Sequence, residues 1–195
     1  MSYLKERILE EGVIYPGNVL KIDSFLNHQI DPGVMKEIEK EFYDHFSDRK
    51  ITKIMTVEAS GIAPAIMVAA HFDVPMLFAK KKKPSTLKGD EAYTAEVYSY
   101  TKQTTSTVMV PKDYLNKEDA VLIIDDFLAN GEASMGLVQI VRDAGAKVAG
   151  IGICVEKSFQ PGRERLEKEG LDVYSIVRIE SIDSKNQEIK FKEGH

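Results

Sequence analysis

The sequence has a single cysteine, Cys154, set in an apolar run. One cysteine excludes an internal disulfide and suits a reducing compartment, so a cytoplasmic protein is expected. An excess of positive charge is also missing. Lys and Arg number 26 against 31 Asp and Glu, for a net charge of −5. That balance argues against a nucleic-acid partner, which needs a basic face. No apolar run approaches the ~20 residues that span a bilayer. The opening residues, "MSYLKERILEEG", are charged throughout and hold no signal-peptide core, so no membrane partner is expected. The histidines (His28, His45, His71 and His195) lack metal-ligand spacing, and with one cysteine no direct metal site is expected. There are no repeats, and the one low-complexity tract is Lys80–Lys83. What remains is a 195-residue chain with 43% hydrophobic residues, enough for one core and a single domain over residues 1–195.

The apolar pattern predicts an α/β protein. Ser2 to Glu11 reads as a helix closed by Gly12, followed by a stretch rich in turn residues. Asp31 and Pro32 form a favoured cap-and-start pair for a helix striped by Met35, Ile38 and Phe42. Two strand–helix–strand units come next. The first runs Ile51–Glu58, Ile62–Phe72 and Val74–Ala79. The second runs Val121–Asp125, Gly131–Ala144 and Lys147–Glu156. Such units imply a mostly parallel sheet flanked by helices. Between them, Tyr93–Tyr100 and Thr107–Val110 read as two strands joined by the polar loop "TKQTTS". The C-terminal stretches "LDVYSIVRIESID" and "EIKFKE" read as short strand-like pieces.

In open sheets of this kind, ligands bind beyond the carboxyl ends of the strands. Two loops leave such ends, "EASG" and "DDFLANGEAS". In the second, Val121–Ile124 runs straight into Asp125 and Asp126, and a short turn then leads into a helix. Backbone N–H groups at such a turn, with the helix dipole, can hold an anion. Gly131 permits close approach, and the small Ala129, Ala133 and Ser134 leave room for a phosphate. Two carboxylates can accept hydrogen bonds from paired hydroxyls or hold water around Mg²⁺. An ordinary strand–helix turn with one Asp as cap and the other solvated is the plain alternative. Acceptors for hydroxyls beside donors for phosphate describe a ribose 5-phosphate.

The stretch "VLIIDDFLANGEA" resembles the signature of the type I phosphoribosyltransferases, which bind phosphoribosyl pyrophosphate (PRPP). The segments "LKIDSFLNHQIDP", "VEASGIAPA", "VYSYTKQT" and "GIGICVEKSFQPGR" extend the resemblance over nearly the whole chain, toward the members of bacterial purine salvage that use xanthine. The resemblance implies the type I phosphoribosyltransferase fold, with an N-terminal hood, mainly residues 1–40, over the base site. It implies transfer of the 5-phosphoribosyl group of PRPP to N9 of xanthine, with Mg²⁺ carried by PRPP, and a homodimer. Relatives acting on adenine or on guanine and hypoxanthine are alternatives. So are a PRPP-sensing purine regulator without catalysis and an inactive sugar-phosphate-binding domain.

By the same resemblance Asp125 and Asp126 take the ribose hydroxyls, and Ala129, Asn130, Gly131, Glu132 and Ala133 take the 5-phosphate. Many relatives carry an Asp at the position of Ala129, a proposed general base, so the base is unassigned here. A Glu132 carboxylate beside a phosphate must point away from it. Ser60 and Gly61 match the pyrophosphate loop. Among the lysine run Lys80 is the residue expected to meet pyrophosphate. Ser99 and Lys102 belong to a stretch resembling the mobile loop that closes over the site. Leu20, Asn27, Lys157 and Phe159 match the xanthine site. Lys157 can donate to an oxo group and Phe159 can stack on a ring. Read alone, each of these residues also has an ordinary structural role, as strand-end lysine, turn residue, helix cap or core aromatic.

Overall fold

In a computed structural model the described residues are 2–81, 91–99 and 103–193. The centre is a six-stranded sheet built from β3 (Lys53–Val57), β4 (Met76–Ala79), β7 (Ala120–Leu128), β8 (Lys147–Lys157), β9 (Val173–Asp183) and β10 (Glu188–Phe191). Their order is β10-β9-β8-β7-β3-β4. Every pairing is parallel except that of β9 with β10. The chain builds outward from the middle in both directions. From β3 it goes through α3 (Ile62–Phe72) to β4, and from β7 through α4 (Glu132–Asp143) to β8. Parallel neighbours require such crossovers. The direction reverses between β3 and β7, and the crevice past their carboxyl ends is where such sheets take ligands.

Strand alternation divides the interior in two. Ile54, Leu122 and Ile124 face one core, formed with α3 and with α2 (Pro32–Phe46). Met55, Val121 and Ile123 face the other, formed with α4 and with Leu166 of α5 (Gly162–Lys168). Both faces are buried, so these strands read as continuous apolar runs. The N-terminal segment belongs to the first core through Leu4, Ile8, Leu20, Phe25 and Leu26. It contains α1 (Tyr3–Glu11), a hairpin of β1 (Val13–Tyr15) and β2 (Val19–Lys21), and a turn of π-helix at Asp23–Asn27. Ser2 and Asp31 cap α1 and α2 with their side chains, as expected of those residue types. Arg7 ties the two helices together through Asp31 at 2.7 Å.

Several boundaries differ from the sequence expectation. The stretch read only as rich in turns forms the β1–β2 hairpin, turned by Gly17 and Asn18 at positive φ. The polar loop "TKQTTS" is shorter than expected. β5 (Ala92–Ser99) and β6 (Thr104–Pro111) pair in unbroken register from Ala92↔Pro111 to Ser99↔Thr104. Thr104, Thr105 and Ser106 are therefore strand, because β-branched and hydroxyl residues suit a half-exposed ribbon. Within "LDVYSIVRIESID", expected as a short strand-like piece, lies β9, an interior strand of 11 residues. Most consequentially, β7 runs on to Leu128, where it pairs with Glu156 of β8, so the acid pair lies within the strand and not past its end.

Candidate active site

The turn after β7 lines a cleft of about 270 Å³. Asp125, Phe127 and residues 128–134 form one wall, and Val97, Tyr98, Ser106 and Val108 of the β5–β6 hairpin form another, with Lys81 at its margin. Gly131 has φ +82°, a left-handed conformation that glycine adopts at no steric cost. No side chain caps α4. Its first N–H groups therefore lack an intrahelical acceptor and carry the positive end of the helix dipole into the cleft.

The carbonyls of the turn point the other way. Ala129 O accepts from the Gly162 N–H at 3.0 Å, and Asn130 O accepts from Arg165 Nη1 at 2.6 Å. In a trans peptide the C=O and the following N–H are antiparallel. Fixing these two carbonyls against α5 aims the N–H groups of Asn130 and Gly131 away from it. Glu132 turns its carboxylate to Arg165 at 2.5 Å. The acid at the start of α4 is paired with a residue 33 positions away in sequence.

The two acids differ. Asp125 is only 4% exposed, whereas Asp126 is half-buried and does not line the cleft. Burial pushes the Asp125 carboxyl well above its ordinary pKa, and the Asp126 charge and a hydrogen bond to the Asp126 side chain add to this. The Asp126 backbone N–H, 3.0 Å from Asp125 Oδ1, and the Lys81 ammonium oppose it. A like charge beside a buried carboxyl disfavours its ionised form, which is the direction seen for Asp125.

Gly61 lies against the pair. A Cβ there would fall 3.1 Å from Asp125 Oδ1 and 2.1 Å from Thr56 Oγ1, so the Ser60–Gly61 turn and the acid pair meet at the reversal point of the sheet. Thr56 is fully buried, and its hydroxyl has no hydrogen-bond partner among the described residues. The peptide Glu58–Ala59 is cis. Glu58 accepts the Lys81 N–H at 2.7 Å.

Lys80, the expected pyrophosphate contact, is bridged to Met109, and its ammonium stands over the Phe78 ring, 5.6 Å from the centroid. The lysine on the cleft is its neighbour Lys81. Side chains of an extended segment alternate in direction, so the choice between adjacent lysines depends on strand register. Ser99 ends β5, and Lys102 lies outside the described residues.

Lys157 ends β8, half-buried, with its ammonium 5.8 Å from the centre of the Phe127 ring. Phe127 also lines the cleft, which joins Lys157 to the phosphate turn. Burial lowers the Lys157 pKa, so a polar ligand atom that accepts from it would be stabilising. Phe159 is 44% exposed just beyond. Beside Lys157, Glu156 is buried and bonded to Arg163 at 2.8 Å and to Ser175 at 2.6 Å. Burial raises the Glu156 pKa, but the bonds from Arg163, Ser158 and Ser175 outweigh it and hold it below the carboxylate range. This anchored strand end is a firm base for Lys157 and Phe159.

Asn27 closes the π-helix, and its Oδ1 is buried without a hydrogen-bond partner among the described residues. Such an acceptor costs free energy unless a donor arrives. Leu20 packs into the core of the N-terminal segment, between exposed Val19 and Lys21. Among the described residues there is no group of three or more His, Cys, Asp or Glu placed to hold a metal ion. Sequence reasoning placed Lys81 only within the lysine run and did not single out Thr56, Phe127, Gly162 or Arg165. A lone Thr in the apolar strand β3 was the one local signal.

Comparisons with known proteins bear on the family and the fold. The family model described as "Phosphoribosyl transferase domain" matches residues 24–194. A xanthine phosphoribosyltransferase of Staphylococcus aureus (strain JH9) is 57% identical over 183 residues, covering 94% of this chain and 95% of that protein. Among solved structures, adenine phosphoribosyltransferase from Thermoanaerobacter pseudethanolicus superposes with TM-score 0.76 at 22% identity, over 90% of this chain and 99% of that one. The Trypanosoma brucei adenine phosphoribosyl transferase, solved with AMP, pyrophosphate and ribose-5-phosphate, gives 0.74 at 19% identity, over 90% of this chain and 79% of that one. At those identities the two structures speak to the fold alone.

Proposed function

This chain belongs to the phosphoribosyltransferase family, and from that premise we propose that it transfers the 5-phosphoribosyl group of PRPP to N9 of xanthine, giving xanthosine 5-monophosphate and pyrophosphate. The observation that carries the PRPP half is the juxtaposition, in one cleft, of Asp125 with the uncapped turn 129–134. The turn takes the 5-phosphate through its N–H groups, and the acid pair accepts hydrogen bonds from the ribose hydroxyls. The bond from C1 of the sugar to pyrophosphate breaks as N9 of ionised xanthine attacks, with positive charge developing on the ring; xanthine loses its proton before the step, so no protein base need accept it. Asp125, on the cleft wall, lies where such charge is stabilised, Asp126 stands hydrogen-bonded beside it, and the fixed turn supplies orientation. No enzyme nucleophile is required. Lys81, with the Ser60–Gly61 turn, stands on the side assigned to the leaving group. The β5–β6 hairpin walls the cleft and helps exclude water.

Mg²⁺ would enter with PRPP. It would be held mainly by substrate oxygens and water, with Asp125 and Asp126 accepting from those waters. When bound there, such an ion would supply charge neutralisation for the leaving pyrophosphate.

For the base, Lys157 donates to an oxo group, which favours oxopurines over adenine, whose amino group offers only donors at that position. Asn27 presents an acceptor to a ring N–H and donors to the 2-oxo group that hypoxanthine lacks. A wrong base leaves that amide unpaired, at a cost of ~1–3 kcal/mol. The relative at 57% identity supports xanthine over other bases. A homodimer belongs to the same reading, supported by the apolar Val13, Tyr15 and Val19 exposed on the β1–β2 hairpin. Sedimentation of the purified protein tests it. A cytoplasmic site follows from a substrate as highly charged as PRPP. No helix among the described residues is long and apolar enough to cross a membrane. The deciding experiment is pyrophosphate release from PRPP with xanthine, guanine, hypoxanthine and adenine, with and without Mg²⁺. The highest kcat/KM is expected with xanthine, and a higher value for another base overturns the assignment.

A further inference from the structure

We propose that Arg165 is a positioning residue for the phosphate turn. It acts through Glu132 and Asn130 and does not itself touch substrate. The inference rests on the reading of residues 129–133 as the 5-phosphate site. Glu132 is the first residue of α4, at the turn that is to receive a phosphate, and a free carboxylate there would repel it. Arg165 Nη1 reaches both Glu132 Oε1, at 2.5 Å, and Asn130 O, at 2.6 Å. One guanidinium nitrogen thus does two things. It cancels the charge of Glu132 and draws it toward α5. It also holds the Asn130 carbonyl on the α5 side, which turns the Gly131 N–H the opposite way. Gly162 completes the clamp. Its N–H bonds Ala129 O at 3.0 Å, and its Cα leaves no room for a side chain between the two segments. α5 follows directly on the Lys157–Phe159 strand end, so the clamp also fixes the phosphate turn relative to the base site. Among the described residues, the carboxylate partner of Arg165 is Glu132.

The coupling predicts a rescue that a merely structural arginine would not show. Arg165→Ala should leave the Glu132 charge uncompensated beside the phosphate. Removing that charge by Glu132→Gln should then recover binding. The experiment is calorimetric titration of ribose 5-phosphate into the wild type, R165A, R165K, E132Q and the R165A/E132Q double variant, with KM measured separately for PRPP and xanthine. Coupling between contacting residues of this kind corresponds to roughly a tenfold change. R165A is therefore expected to weaken ribose 5-phosphate binding and raise KM for PRPP by roughly tenfold, while KM for xanthine changes less than roughly twofold. The double variant should regain at least roughly half of the loss on a logarithmic scale, and R165K should fall between R165A and the wild type. The proposal is overturned if R165A binds ribose 5-phosphate like the wild type, or if the double variant is no better than R165A. It is also overturned if R165A raises both KM values alike with a lowered melting temperature, which marks a structural role. A wild type that does not bind ribose 5-phosphate overturns the phosphate-site reading itself, and is told apart because it precedes any comparison of variants.

Discussion

Replacing Gly162 by alanine adds one methyl group at the contact between α5 and the phosphate turn. The added Cβ would lie 2.4 Å from Ala129 O, 2.8 Å from Leu128 Cδ1 and 3.0 Å from Gly131 N. Ordinary contact begins at 3.4 Å, so the Ala129 carbonyl must retreat by about 1 Å, since it is backbone and cannot swing aside. Gly162 does not have a positive φ, and alanine favours a helix, so the clash is the whole perturbation. Overpacking of this size costs ~1–3 kcal/mol, and the strained Gly162–Ala129 hydrogen bond ~1 kcal/mol more. For a chain of this length that lowers the melting temperature by roughly 4–15 °C. The effect on function is larger in proportion, because displacing a binding element by about 1 Å can cost ~100-fold in rate. Steady-state kinetics should therefore show kcat/KM for PRPP falling by roughly that factor at a temperature where circular dichroism reports a folded protein. Gly170→Ala is the control. Gly170 follows the same helix with φ +73°, but nothing lies within 4 Å of its Cβ position. It should lose ~1–2 kcal/mol of stability from the left-handed backbone and keep its kinetics. A Gly162→Ala protein with wild-type KM for PRPP, or a Gly170→Ala protein with an equal kinetic loss, would refute the idea that α5 sets the geometry of the turn.

Other expectations follow from individual groups. Asp125 has a raised folded pKa, so its contribution to stability is full below the unfolded value of ~3.9 and is lost as pH rises through the folded value. Asp125→Asn should therefore gain melting temperature relative to the wild type as pH rises above about 4, with no pH-dependent gain below it, while losing PRPP affinity; a difference independent of pH would contradict the burial argument. Asn27→Ala should reduce the preference for xanthine over hypoxanthine by roughly 5- to 150-fold with KM for PRPP little changed, and an intact preference would remove Asn27 from the base site. Lys157→Gln should raise KM for xanthine by roughly 10- to 100-fold. If KM for PRPP rises equally, Lys157 serves the cleft as a whole and not the base.

Much of the site was legible because its chemistry is local. A buried apolar strand, two acids and a small glycine-bearing turn follow one another within Val121–Ala133, and each feature depends on the geometry of neighbours in the chain. The caps at Ser2 and Asp31, the helix stripes and the two strand–helix–strand units are local in the same way. Together they determined the α/β class, the parallel core of the sheet and the type of co-substrate.

Tertiary structure decided what depends on register and on distant partners. Adjacent Asp125 and Asp126 carry the same formal charge in the sequence, but Asp125 is the one that lines the cleft and is nearly fully buried, while Asp126 is half-buried beside it. Alternation of side chains along an extended segment puts Lys81 on the cleft in place of Lys80. Glu132 looked misplaced until Arg165, 33 residues on, was seen to hold it. Gly162 carries no signal at all in its own neighbourhood, since its role comes from the absence of a side chain against Ala129 and Gly131. Sequence pattern therefore determined which groups are available, because backbone propensity and periodicity act over a few residues. Packing determined which of them face the ligand and with what charge, because burial and pairing exist only once distant segments are brought into contact.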